Sequence, residues 1–450
     1  MKLSFYGAAG EVTGSNYLLK TTRANVVFDC GAFQGGKDSE LKNMAPFLYD
    51  PRSVDAMVLT HAHLDHVGRL AKLVRDGFAG EIYATPPTIE LAKLVMEDSA
   101  VIMSHEEMKF GDQPMFRAED VAKAVEKFRP IKYNERTQIA DGVEVNLVDA
   151  GHILGSASVE VWADGRKILF SGDIGNSGAP IINDPVKVEE ADYVICESTY
   201  GGRTHEPAQE QKKFLDEVVD LSVARNGVLL IPSFALERSQ QLLFNLHQLL
   251  EEKKIPDIPV FLDSPLAIKA TEVFKKFPEY FDNETKSHLD HVQDFFDLPS
   301  LKLTRSVEES KKINTTPPPK IIIAGSGMMT GGRIKFHLRE YLDQPTTMIF
   351  VVGYQADGTL GRRLLDGVKT VDLFGEKIKV KAQVKAKGAF SAHADEPQLI
   401  SWLKGVKSPI KELFLTHGDP KARDLLEVAI GKNMQVEIEK PRFGQTVELE

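Results

Sequence analysis

Within the segment His61-Ala62-His63-Leu64-Asp65-His66-Val67-Gly68, three imidazoles and one carboxylate fall inside six residues. Neutral imidazole nitrogens and carboxylate oxygens are the donors that a borderline divalent ion such as Zn²⁺ takes. If the segment is a sharp loop after a strand, His61 and His63 can face one ion while Asp65 and His66 face a second. The bland alternative, a helix N-terminus with Asp65 near its cap, leaves three clustered histidines without a purpose. One loop cannot close two metal sites, so further ligands have to come from elsewhere. Three places repeat one local design of apolar strand, ligand-type residue and glycine. They are His152 in Ala150-Gly151-His152, Asp173 in Ser171-Gly172-Asp173, and His417 in Leu415-Thr416-His417-Gly418. Each alone reads as an ordinary turn. Together with the first cluster they read as one site, suited to hydrolysis by water activated between two cations about 3.5–4 Å apart.

The elements that must hold these residues are legible as short β-branched and apolar runs separated by turn residues. Residues 26–28, 56–59 and 194–195 predict strands, followed closely by Asp29, His61 and Glu197. Residues 143–148, 167–170 and 413–415 predict the strands before His152, Asp173 and His417. Ligands on loops at strand ends are how layered sheet enzymes build sites. Helical periodicity covers 87–96 and 118–128. From about Pro207 the texture changes: 210–223 and 238–250 predict helices, and 228–231, 260–262, 321–323 and 347–352 predict strands. This alternation predicts βαβ units on a mainly parallel sheet. From about Lys385 the short-strand, histidine-bearing pattern returns. The expected organisation is a first domain over residues 1–205, an inserted α/β domain over 206–382, and completion of the first domain over 383–450.

Composition bounds the function classes. At 450 residues the chain exceeds one core, and 42% hydrophobic with 27% charged residues is an ordinary globular balance. Two cysteines, Cys30 and Cys196, cannot make a disulfide scaffold. No uncharged apolar run approaches a membrane span, and the N-terminus lacks a signal peptide's apolar core. The expectation is a cytoplasmic protein without a membrane partner. A net charge of −10 argues against a general nucleic-acid coat protein but leaves room for a polyanion bound at a metal site and local basic groove.

Taken together, these motifs resemble the metallo-β-lactamase superfamily, at Asp29, at His61, His63, Asp65 and His66, at His152 and at Asp173. The resemblance extends to its β-CASP branch of nucleases through Glu197 in Cys196-Glu197-Ser198-Thr199-Tyr200, His393 in Ser391-Ala392-His393-Ala394-Asp395, and His417. It implies an α/β fold, an αββα sandwich of two sheets with helices outside, carrying an inserted β-CASP domain. It implies that His61, His63 and His152 bind one metal, that Asp65, His66 and His417 bind the other, that Asp173 bridges, and that Asp29 orients the ligand loop. The implied cofactors are two Zn²⁺, with Mn²⁺ the other candidate. The implied activity is hydrolysis of RNA phosphodiesters, leaving a 5′-phosphate and a 3′-hydroxyl, as an endonuclease with 5′-exonuclease action as a second mode. His393 is the implied general acid or oxyanion stabiliser, Glu197 the partner of its imidazole, and Asp65 and Asp173 the carboxylates at the reacting centre. Relatives acting on RNA carry histidine at the last motif where DNA-directed ones tend to carry valine, so His417 favours single-stranded RNA as the partner. The chain starts at its first strand and has no room for a long C-terminal extension, so the expectation is a minimal, bacterial version. A homodimer is left open.

Weaker candidates lie in the insertion. Ala324-Gly325-Ser326-Gly327-Met328-Met329-Thr330-Gly331-Gly332-Arg333 follows a strand and precedes a helical segment, so its N–H groups could grip a phosphate. Ser326, Gly327, Arg333, Arg362 and Ser391 are the candidate phosphate contacts. The basic run Lys377, Lys379, Lys381, Lys385 and Lys387 reads first as a solvated strand. His105, His205, His247, His288, His291 and His337 read as surface histidines without companion ligands, and Trp162 and Trp402 as core or boundary residues. The rival functions are a small-molecule hydrolase on the same sandwich, an inactive RNA-binding subunit and a DNA nuclease. The insertion motifs disfavour the first, the complete ligand set the second and His417 the third.

Overall fold

The computed structural model describes every residue except 36–37, 290–293, 354, 356–357 and 388–389, so His291 lies outside the described residues. The chain divides into two compact units: Met1–Ser177, Asp184–Thr204 and His393–Glu450 form the first, Gly178–Asn183 and His205–Ala392 the second.

Two seven-stranded sheets build the first unit. One runs in the order Thr446–Glu448, Lys2–Phe5, Tyr17–Lys20, Asn25–Phe28, Ala56–Val58, Glu81–Ala84, Phe128–Pro130. The other runs Ile438–Glu439, Glu412–Thr416, Tyr193–Glu197, Arg166–Phe170, Ala157–Ala163, Val143–Asp149, Thr137–Ala140. In the first sheet, hairpin-like antiparallel pairs give way to parallel pairs from Asn25–Phe28 onward. The strand period of two sends Val26 and Phe28 into the core shared with Val159, Ile168, Phe170 and Ile195 of the second sheet. Phe28 and Phe170 stack there with ring centroids 4.0 Å apart. Val27 and Met57, on the opposite face, are equally buried, so that face is covered too. On the far face of the second sheet, Leu169, Val194, Leu413 and Leu415 pack with Leu399, Trp402, Leu403, Leu426 and Ile430 from helices Glu396–Leu403 and Pro420–Asn433. This is the αββα sandwich expected from the resemblance.

The second unit holds a six-stranded sheet in the order Leu301–Leu303, Val260–Asp263, Lys320–Ala324, Val228–Pro232, Met348–Val351, Gln383–Ala386. Every pair in it is parallel. Its central strands are continuous apolar runs because both faces are buried. Two expectations are corrected here, one by strand pairing and one by a helix's length. Gln383–Ala386 bonds to Met348–Val351 as the sixth strand, so the insertion runs on to Ala392 instead of stopping at 382. The helix expected over 87–96 extends over Pro86–Phe110, capped by the Thr85 side chain and closed by Gly111 at φ 78°. Its second half was illegible because Val101, Ile102 and Met108 stand exposed and break the apolar period. Among the described residues no helix is long and apolar enough to cross a membrane.

Candidate two-metal active site

Seven of the expected ligand residues converge in the first unit as two adjoining groups, His61 with His63, His152 and Asp173, and Asp65 with His66 and His417. In the first group His63 Nδ1 lies 3.1 Å from His61 Nε2 and 3.0 Å from His152 Nε2. Asp173 Oδ2 stands 3.5 Å from His61 Nε2 and 3.6 Å from His152 Nε2. In the second, His417 Nε2 is 3.1 Å from His66 Nε2 and 3.4 Å from Asp65 Oδ2. Asp173 Oδ1 faces this group, 3.3 Å from His66 Nε2 and 3.5 Å from His417 Nε2, and is buried with no hydrogen-bond partner among the described residues. Donors that share one tetrahedral ion at about 2.0–2.2 Å stand about 3.4 Å apart. The donor set and the orphaned carboxylate oxygen therefore fit a divalent ion in each group, with one oxygen of Asp173 turned to each.

Local sequence explains how each side chain arrives. Asp29 ends its strand at φ 58°, a left-handed conformation that aspartate tolerates better than bulky residues. It accepts from Thr60 N (2.8 Å) and from the Thr60 hydroxyl (2.9 Å), and His66 Nδ1 donates to it at 2.8 Å. That bond turns His66 Nε2 toward the second group. Gly31 lets the metal loop lie against the preceding strand end, since a Cβ there would come 1.6 Å from the Asp65 carbonyl oxygen. His393 and His417 each stand two residues before an aspartate that caps a helix. Asp395 accepts from Gln398 N at 3.0 Å and Asp419 from Ala422 N at 2.8 Å.

A third group adjoins these two. His393 Nδ1 lies 3.2 Å from Glu197 Oε1 and 3.9 Å from Asp173 Oδ2. Glu197 is itself fixed by Ile174 N on Oε1 (2.8 Å) and Thr199 N on Oε2 (3.2 Å). Burial pushes the His393 imidazole down, but Glu197, with Asp173 and Asp65 behind it, outweighs burial and pushes its pKa up to about 9. Burial dominates at His61, held well below the ordinary histidine value, and at His63, lowered to about 4, so both keep lone pairs for coordination. Burial also pulls on His66, yet Asp173 and Asp29 hold it well above its ordinary value. At Asp173 burial works to raise the pKa, but His417, His66 and His61 hold the carboxyl well below the usual range. Bound cations would displace the His66 proton, so metal uptake should weaken as pH falls.

The sequence reading missed two residues. Thr60 Oγ1 is 3.1 Å from His61 Nδ1. Because that hydroxyl donates to Asp29, it accepts from the imidazole and leaves Nε2 bare for the site. Thr199 does the same for His417: its hydroxyl donates to the His417 carbonyl (3.1 Å) and lies 3.0 Å from Nδ1. The only signal for either was a hydroxyl residue beside a ligand motif. Partners of this kind are typically worth 10–100-fold in metal affinity or activity. Thr199→Val is therefore expected to weaken metal binding by about 10–100-fold, and Thr199→Ser to restore it; equilibrium dialysis against a metal buffer measures both.

The expected phosphate contacts fare differently, and all five lie in the second unit. Arg333 is corrected: its guanidinium is spent inside the fold, on Asp263 Oδ1 (2.6 Å) and the carbonyls of Thr304 and Arg305 (2.8 Å each). Asp263 also binds the buried His337 at 2.7 Å, so His337 is no surface histidine. Burial works to raise the Asp263 pKa, but hydrogen bonds from His337, Ser310, Thr304 and Arg333 take it down to about 2. The Ser326 hydroxyl accepts from Thr330 N (3.1 Å) and Gly331 N (3.2 Å), closing its own loop. Gly327 lies against Phe234, Ser391 is buried, and Arg362 is exposed in an ion pair with Asp366 at 2.8 Å. The described lysines of the basic run are exposed, Lys377 and Lys379 on a two-stranded hairpin and Lys385 on the edge of the parallel sheet. Trp402 is buried and Trp162 stacks under Arg136 at 3.9 Å.

Sandwich, parallel insertion and paired His/Asp groups define a metal-dependent hydrolase class, and the chain belongs to the metallo-β-lactamase superfamily, in the branch that carries a Beta-Casp domain. Residues 9–226 match the Metallo-beta-lactamase superfamily, 239–364 the Beta-Casp domain, and 377–441 the Zn-dependent metallo-hydrolase RNA specificity domain. The chain is 37% identical to the protein named Ribonuclease TTHA0252 of Thermus thermophilus, over 99% of this chain and 100% of that one. It is 33% identical to Transcription termination factor FttA of Methanosarcina mazei, over 100% of this chain and 72% of the relative. It is 29% identical to an RNase J-like protein of Methanocaldococcus jannaschii, over 96% of each. A solved protein of unknown function from Enterococcus faecalis shares the fold, with a TM-score of 0.55 at 13% identity over 100% of this chain and 99% of that one.

Proposed function

We propose that the chain is a Zn²⁺-dependent ribonuclease that hydrolyses phosphodiesters of single-stranded RNA, as an endonuclease with 5′-exonuclease action as a second mode. The observation that carries this reading is Asp173, whose two carboxylate oxygens face two separate groups of imidazoles beside the His393–Glu197 pair. His61, His63 and His152 would hold one ion, Asp65, His66 and His417 the other, with Asp173 shared and Asp29 orienting the loop. Two divalent ions there would supply an acidified water and charge stabilisation at the phosphate. His393 is the proton donor, with 18% of its side chain exposed and its ring 4.5 Å from that of His152. Glu197 takes the Nδ1 proton in a hydrogen bond, so imidazolium Nε2 is the atom that can donate to the departing 3′ oxygen. The water releases one proton to solvent as its oxygen bonds to phosphorus, the bond from phosphorus to the 3′ oxygen breaks, and the His393 proton completes the 3′-hydroxyl. Arg362 is kept as a candidate backbone contact.

The RNA preference is supported by the match to a domain described by RNA specificity and by relatives named as ribonucleases. Two buried free cysteines suit a cytoplasmic setting. Zinc rather than manganese is supported by the nitrogen-rich donor set. The test uses matched 5′-labelled single-stranded RNA and DNA, metal-stripped protein, and Zn²⁺ or Mn²⁺ added back. The expected result is RNA cleavage that chelator abolishes and Zn²⁺ restores, with internal fragments and 5′-phosphate ends. Equal cutting of DNA would overturn the RNA assignment, and cleavage of neither would favour a small-molecule substrate.

A further inference from the structure

Helix Arg238–Glu251 of the second unit places His247 and Glu251 one turn apart, on one face. Helix Asn283–Leu289 brings His288 to the same point. Glu251 Oε2 stands 3.5 Å from His247 Nδ1 and 3.4 Å from His288 Nε2, and one donor atom from each residue lies within 4.8 Å of the others. These separations match the edges of a tetrahedral ion site, about 3.4 Å, and are long for charge-assisted hydrogen bonds, about 2.7–2.9 Å. Both imidazole nitrogens are buried and, among the described residues, neither has a hydrogen-bond partner. His247 is 9% exposed, and its i,i+4 partner Glu251 reaches solvent with 43% of its side chain. Phe244 and Phe295 flank His288, at 5.9 and 6.3 Å between ring centroids. Asp294 is no rival ligand, because Lys275 holds its carboxylate at 2.7 Å and Phe296 N at 2.9 Å. The surface reading of His247 and His288 as histidines without companions is thereby corrected.

We propose that His247, Glu251 and His288 form a third divalent-cation site, of the Zn²⁺ class, that ties the two helices of the second unit together. Two nitrogens and an oxygen suit that class, and solvent at Glu251 supplies the fourth position. An ion there satisfies two buried nitrogens that have no hydrogen-bond partner among the described residues. Its role is structural, because it joins two helices of the same unit, Arg238–Glu251 and Asn283–Leu289.

The test is zinc stoichiometry of the full-length protein, stripped with chelator, reloaded with Zn²⁺, desalted and measured by mass spectrometry. Wild type is expected to hold three ions per chain, and His288→Gln and Glu251→Gln one fewer each, with RNA cleavage retained. Added Zn²⁺ is expected to raise the melting midpoint of stripped Asp173→Ala by several degrees, and that of the Asp173→Ala/His288→Gln double variant by clearly less. Unchanged stoichiometry in both single variants overturns the proposal, as does an equal zinc-induced shift in the double variant. If either single variant fails to fold, the other decides. A loss of one ion with His288→Gln from a wild type that holds fewer than three supports this site and counts against the two-metal catalytic reading instead.

Discussion

Replacing Asp173 by alanine is expected to lower RNA cleavage by at least about 1,000-fold, the largest single loss in this molecule. The expectation rests on geometry. Oδ2 lies 3.5–3.6 Å from His61 Nε2 and His152 Nε2, and Oδ1 lies 3.3–3.5 Å from His66 Nε2 and His417 Nε2. Among the described residues, Asp173 is the carboxylate with ion-pair contacts to imidazoles of both groups. Its loss removes an anion from between clustered imidazoles, so affinity falls at both positions and their relative placement is lost. Metal content measured beside turnover separates this from a misfolded protein: the variant should keep its circular dichroism spectrum while retaining at most one of the two catalytic ions. A variant that keeps both ions and full turnover would remove Asp173 from the catalytic centre. Asp173→Asn is the finer comparison, since it retains shape and one acceptor oxygen while removing the charge.

The second large effect concerns pH. The Glu197 carboxylate lies 3.2 Å from His393 Nδ1 and favours imidazolium, so it raises that pKa, toward about 9. A general acid works only while protonated, so the rate should fall as pH rises through the His393 pKa. Cations bound at the neighbouring groups offset the lift from Asp173 and Asp65, which leaves Glu197 as the main support of the imidazolium. Glu197→Gln keeps an acceptor for Nδ1 but removes the charge, and the alkaline limb should move down toward the ordinary value near 6.5. At pH 8 the protonated fraction would drop at least several-fold, while at pH 6 the two proteins would differ far less. The pH–rate profile of single-turnover cleavage reads this directly. An alkaline limb that stays in place in Glu197→Gln would sink His393 as the proton donor and leave its pair with Glu197 a structural one.

Much of the site was legible because ligand chemistry is written locally. A dense His/Asp run after an apolar strand, and single His or Asp residues set between a strand and a glycine, carry their meaning in residue type and spacing. The parallel sheet of the insertion was equally legible, since strands buried on both faces must be continuously apolar. Local pattern could not report where the chain reaches across itself. Gln383–Ala386 reads as part of the returning first domain until its pairing with Met348–Val351 is seen. Arg333 reads as a phosphate ligand until its guanidinium is found on Asp263, 70 residues away. His247 and His288 read as lone surface residues until helix packing sets them around Glu251.

The sequence alone therefore determined the donor types, the strand ends that carry them and the class of chemistry they permit, because propensity, period and metal preference act over a few residues. Tertiary structure alone decided which oxygen of Asp173 faces which group and which hydroxyls set the tautomers of His61 and His417. It also decided which basic side chains remain for a substrate. Those depend on contacts between residues distant in the chain, where burial and hydrogen-bond satisfaction, not local preference, fix the outcome.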